Sequence, residues 1–178
     1  MEGRDARIKR RTFLQAGLAA TAAGYAISCA KSGSGAWRFF TEAEAQTVEA
    51  ISAQLIPADR DPGAKEAFVV NYVDIQLTRQ FKKHQRAYRQ GIAALDAACR
   101  AKYGKRFVEL PPEAQVEALN ALEESSPSFF QLVLAHTRQG FYGDPRHGGN
   151  RNMASWKMLG LPYPPIRGRQ KYSEPKAG

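Results

Sequence analysis

Apolar residues recur at three- and four-residue steps along most of this chain, interrupted by proline and glycine, and nowhere alternate long enough to make a strand. Thr41 to Glu44 has the form of a capping box, and Val48, Ile51, Leu55 and Ile56 then mark one face of a first helix that Pro57 stops. The turn Asp59-Arg60-Asp61-Pro62-Gly63 leads into a second helix. Its apolar residues, Phe68, Val69, Tyr72, Val73, Ile75 and Leu77, cover too broad a surface for burial on one side only. The spacing predicts a third helix from about Lys83 to Tyr103, with Tyr88, Ile92, Leu95 and Cys99 inward and Gly104 as a stop. Pro111-Pro112 opens a fourth, carrying Val116, Leu119 and Leu122. Ser126-Pro127, a cap followed by proline at the first helical position, opens a fifth that continues through Phe130, Val133, Leu134 and Thr137 to Gly140. The expected fold is therefore all-α: a small irregular helical bundle with a long glycine-rich C-terminal loop, Phe141 to Asn150, and a short final helix around Met153 to Leu159.

The N-terminus has a different pattern. Arg10-Arg11-Thr12-Phe13-Leu14-Gln15 precedes a short, weakly apolar run from Ala16 to Ile27. A membrane span needs about 20 apolar residues, and this run is interrupted by Gly17, Thr21 and Gly24. Paired arginines before Phe13-Leu14 and an Ala-rich stretch are the composition of a twin-arginine export signal, although Lys9 and Gln15 depart from its usual flanks. Ser28-Cys29-Ala30 fits cleavage after Ala30. Ala26-Ile27-Ser28-Cys29 also fits a lipobox lacking its usual Leu, in which Cys29 would be acylated. Residues 1–30 are thus expected to be signal, 31–38 a linker rich in Ser and Gly, 39–162 the folded domain and 163–178 a Pro-rich basic tail.

Charge and cysteine count narrow the chemistry. The formal charge is +9, and removal of residues 1–28 leaves 21 basic against 15 acidic residues. Arg79, Lys82, Lys83, Arg86 and Arg89 recur at three- and four-residue steps that place most of them along one side of a helix, a solvated face or one matched to an acidic partner or membrane; an exported protein has little nucleic acid to meet. With Cys29 in the signal, Cys99 stands alone, so no internal disulfide is expected and a small buried side chain is the simplest role for it. His136, His147 and Asp144 offer a base with an orienting carboxylate, or metal ligands, for a self-contained secreted enzyme or metal-binding protein. Their spacing fits no ligand set and His84 is remote, so neither a catalytic residue nor a metal site is assigned.

The segment after Gly140 is the most distinctive. Gly148-Gly149-Asn150 permits positive φ, and Tyr142 and Trp156 are aromatics of the kind that anchor interfaces. These features carry a resemblance. Leu55-Ile56-Pro57 with Pro62-Gly63-Ala64, Tyr88-Arg89-Gln90-Gly91 to Leu95-Asp96, and above all Gly140-Phe141-Tyr142-Gly143-Asp144-Pro145 through Gly148-Gly149-Asn150 to Trp156-Lys157-Met158-Leu159-Gly160 resemble the gluconate 2-dehydrogenase subunit 3 family, the small subunit of membrane-associated flavin-dependent sugar dehydrogenases.

The resemblance implies a partner rather than an activity. In such complexes a large subunit of the glucose-methanol-choline oxidoreductase type holds FAD and oxidises the sugar. In some, a multihaem cytochrome c takes the electrons. The small subunit supplies no catalytic residue and no cofactor. It presents the signal, here Arg10, Arg11, Phe13 and Leu14, to the twin-arginine translocase, supports maturation of the flavoprotein and stays bound to it in the periplasm. Tyr142, Gly148, Gly149, Asn150 and Trp156 are the residues expected at that interface. The sequence agrees in lacking Cys-x-x-Cys-His and Gly-x-Gly-x-x-Gly.

Overall fold

The computed structural model describes residues 37–161. The export signal, with Arg10, Arg11, Phe13, Leu14 and Cys29, lies outside the described residues, as does the basic tail. Six α-helices occur: α1 (Glu42–Leu55), α2 (Val69–Leu77), α3 (Gln85–Tyr103), α4 (Pro112–Ser125), α5 (Pro127–Tyr142) and α6 (Ala154–Met158), with no strand among the described residues. The chain is an all-α bundle, as its periodicity requires.

Local signals set most of the boundaries. Thr41 and Glu44 form the reciprocal capping box, the Glu44 amide donating to the Thr41 hydroxyl at 3.3 Å and the Thr41 amide to the Glu44 carboxylate at 2.8 Å. Gly104 ends α3 in the left-handed region, φ 70°, where its amide still reaches the Arg100 carbonyl. Pro112 and Pro127 each occupy a first helical turn, where a missing N–H leaves no helical bond unmade.

Four details differ from the sequence expectation. Phe68 is not helical: its φ of 57° makes it a left-handed entry to α2. Lys82–His84 is a 3-10 turn, so α3 starts at Gln85. Ser126 makes no side-chain cap; its amide closes α4 on Leu122 while its carbonyl accepts from Phe129 and Phe130, so one residue joins the two helices through its backbone. Val116 is 45% exposed, and Gln115 beside it is buried, because the Gln115 amide group donates to the Phe107 carbonyl and accepts from Gln54. A satisfied amide can be buried at little net cost, and the register follows it.

α5 is the hub of the bundle and packs against each of the other five helices. Ile51, Leu77, Tyr88, Phe107 and, on α5 itself, Phe141 are the largest wholly buried side chains. Each contributes about 1.5–3 kcal/mol or more by leaving water. Cys99 is buried and free.

The domain begins earlier than composition indicates. The amides of Arg38, Phe39 and Phe40 all donate to the buried carboxylate of Asp74 on α2, at 2.6, 2.9 and 2.9 Å. Arg89 on α3 donates to the Phe39 carbonyl at 2.7 Å, pairs with Glu44 and lies over the Phe39 ring. Trp37 and Arg38, assigned to the linker, are thus already held by the domain.

Candidate partner-binding face

The chain from the end of α5 to Leu161 is built by close backbone packing. α5 continues past Gly140 to Tyr142, and its capping residue Gly143 leads into a 3-10 turn, Pro145–His147. Gly148 follows at φ 97°, a region L side chains rarely adopt, and its carbonyl accepts from the Asn71 side chain at 2.7 Å. A Cβ on Gly149 would overlap the carbonyl oxygen of Gly140, so the loop lies directly on the backbone of α5. Asn150 is wholly buried at φ 44°; its amide donates to the Gly143 carbonyl at 2.9 Å and its oxygen accepts from the Ser155 amide at 3.0 Å. It clamps the end of α5 to the start of α6. Asn152 and Met153 are also left-handed, and the Arg151 amide donates to the Ala67 carbonyl at 3.0 Å, beside the left-handed Phe68.

The five expected interface residues therefore divide. Gly149 and Asn150 are interior, and Gly148 sits against Asn71 and Ile75, so these three shape the chain's own loop. Tyr142 is 47% exposed, and half-buried Trp156 donates its indole N–H to the Tyr142 carbonyl at 3.0 Å. Leu159 and Leu161, which sequence reasoning left out, are 53% and 52% exposed. Half-exposed Tyr142, Leu159 and Leu161, with Trp156 hydrogen-bonded to the backbone of Tyr142, are apolar side chains of the kind that dock on another protein.

The candidates for independent chemistry are not brought together. Asp144 accepts from the Arg146 amide at 2.9 Å and from its guanidinium at 2.6 Å, and that pairing holds the carboxylate below its ordinary range. His147, beside it, is exposed. His136 is 4% exposed, stacked on Phe81 at 3.8 Å between ring centroids and bonded through Nδ1 to the Tyr88 hydroxyl at 3.0 Å. Among the described residues no three His, Cys, Asp or Glu side chains converge as a metal site.

Desolvation, with a smaller contribution from nearby His84, lowers the His136 pKa from 6.5 to about 4. The unfolded chain takes up this proton as pH falls through 6.5, whereas the folded chain does not until about pH 4. Stability from the neutral imidazole is therefore complete above pH 6.5 and is lost progressively down to pH 4, by about 3 kcal/mol in all. Thermal melts across this range should show the decline. In His136→Gln the profile should be flatter; an equally steep one would place the titration elsewhere.

Residues 42–162, from the first residue of α1 through the whole of this face, match the family model described as gluconate 2-dehydrogenase subunit 3. The chain belongs to that family. No curated protein and no solved structure matches it. The family is that of a subunit of a dehydrogenase complex, and the match includes the segment from Gly140 to Gly160 that carries the strongest resemblance.

Within this subunit 3 domain, Asp74 and Asn71 are the structural residues with no sequence signal, because their partners are backbone groups far along the chain. Leu159 and Leu161 did carry one. They are apolar residues flanking a helix-ending glycine at the end of the last helix.

Proposed function

We propose that this chain is the non-catalytic small subunit of a periplasmic FAD-dependent sugar dehydrogenase complex. It escorts the flavoprotein through twin-arginine export and supports its maturation and stability, with electrons passing in some complexes to a multihaem cytochrome c. The observation that carries this reading is the family match across the domain and its C-terminal face. The Arg10-Arg11 pair supports the export role. The partner face is Tyr142, Trp156, Leu159 and Leu161, with Gly148, Gly149 and Asn150 holding it in shape from beneath.

Co-expression with the flavoprotein subunit tests both halves. Arg10→Lys with Arg11→Lys should strand both chains in the cytoplasm on cell fractionation, and active dehydrogenase in the periplasm of that variant would refute the escort role. Tyr142→Ser with Leu159→Ser and Leu161→Ser should weaken co-purification by about thirtyfold or more, the loss of at least one anchor of about 2 kcal/mol. The isolated chain should remain folded, with a small drop in melting temperature, since about half of each residue is already in water. Undiminished co-purification would move the interface elsewhere.

A further inference from the structure

Two clefts open beside α3, one of about 410 Å³ against the end of α4 and one of about 500 Å³ against the start of α5. Ala94 and Ser126 line both. They therefore form one trough, open along one side, that follows α3 from Ala87 to Lys102, about 22 Å at about 1.5 Å per residue. Its floor is the buried side chains of Leu95, Cys99, Leu122 and Phe129, while the exposed rim is small: Ala94, Ala98 and Ala121. Gly91 sets the depth. A Cβ there would strike the Phe129 ring, so glycine lets that ring lie against α3 and not stand up in the trough.

The end of the trough at His84 and Ala87 is basic. Lys82, Lys83 and Arg86, next to those two in the chain, are exposed, and none has a carboxylate in ion-pairing distance among the described residues. Between Asp74 and Asp96 the sequence contains no acidic residue. α3 begins here with no acid in its first turn, whereas α1 begins with Glu42 and Glu44, so the partial positive charge of a helix N-terminus adds to the three side chains. The far end differs, because Lys102 is already paired with Glu117 at 2.7 Å. Whatever fills the trough meets uncompensated positive charge at one end only.

We propose that the trough holds an amphipathic α-helix of another protein subunit of the complex, about four turns long, apolar on the side that enters and acidic at the end that meets Lys82, Lys83 and Arg86. The shape selects a protein. Side chains that enter a bilayer have to stand out from the surface, and here the large apolar ones are recessed behind alanine. Two copies of this chain related by a two-fold axis would set trough against trough and fill neither. A small molecule is enclosed on most sides by its pocket, whereas this trough is open along its length and suits a rod whose own side chains project into it. As a subunit of a dehydrogenase complex the chain has other proteins to meet. The trough lies at the start of α5 and the Tyr142 face at its end, 14 residues or about 21 Å further on, so each can hold its own partner segment. The inference rests on membership of the complex and not on the escort role.

Photo-reactive benzoylphenylalanine at Ala98 or Ala121, in the full chain co-expressed with the dehydrogenase subunits, tests it. After irradiation of intact cells both positions should cross-link to one segment of a co-purifying subunit, and mass spectrometry should find there apolar residues at three- and four-residue steps with carboxylates at one end. The same group at Ala93, exposed on α3 but outside the trough, should not reach that segment. Ala98→Trp with Ala121→Trp fills the trough from its exposed rim and should weaken retention of that subunit by about thirtyfold or more, as the loss of one anchor does. Lys82→Glu with Lys83→Glu should weaken it by about tenfold at low salt and by less at high salt. Cross-links to a second copy of this chain, to phospholipid or to nothing overturn the inference, as does undiminished retention in the Trp variant. Benzoylphenylalanine at Leu159 reports on the other face alone, so failure there bears on the proposed function and failure at Ala98 and Ala121 on this inference.

Discussion

Asp74→Ala should lower the unfolding free energy of the isolated chain by about 3 kcal/mol or more, the largest effect expected of a single polar substitution here. Its carboxylate receives the Arg38, Phe39 and Phe40 amides, and each donor left unmatched in a buried setting costs about 1–3 kcal/mol. Part of that loss is recovered where water reaches the Arg38 amide. Asp74→Asn separates charge from shape: its oxygen can still accept from Phe39 and Phe40, but its amino group then faces the Arg38 amide. About half the loss should remain. Urea titration of the three proteins checks this, and an Asn variant as stable as the parent would show that the charge contributes nothing. Because Arg89 and Glu44 share the same entry segment, the variant should also expose that segment to protease.

Gly149→Ala should be nearly as damaging, although it adds one methyl group. The new Cβ would run into the Gly140 carbonyl, a backbone atom of the central helix that cannot move aside as a side-chain tip could. Overpacking of this kind costs about 1–3 kcal/mol. The loss should appear as a lower melting temperature of the isolated chain, before any partner is added. An unchanged melt with lost flavoprotein binding would instead make Gly149 part of the interface itself.

What the sequence made legible, and what it hid, follows from the range of the interactions. The capping box at Thr41, the prolines at 112 and 127, and the glycine at 104 act within one helical turn, so residue type and spacing were enough to place them. Helices α1 to α5 were legible in apolar periodicity. The exceptions are instructive: Val116 repeats in step with Leu119 yet faces water, because Gln115 finds two partners inside. Nothing near Asp74 in sequence announces its role, since its donors lie 34 to 36 residues upstream. The candidate site was half legible. Composition located the segment from Tyr142 to Trp156, but only contact with α2 and α5 decides that Asn150 turns inward while Leu159 and Leu161 stay outside.

The left-handed residues have a consequence for recognition. Phe68, Asn150, Asn152 and Met153 adopt a backbone that non-glycine residues avoid unless their surroundings enforce it. Here the enforcing contacts come from the Ala67 carbonyl at the entry to α2, from Asn71 on α2 and from Gly140 on α5. The C-terminal turn therefore depends on those helices being in place, since they supply the contacts that hold its backbone. The surface carried by Tyr142, Trp156 and Leu159 depends on the same contacts, because the Trp156 indole is bonded to the Tyr142 carbonyl at the end of α5. A partner that recognises it meets only molecules that have finished folding.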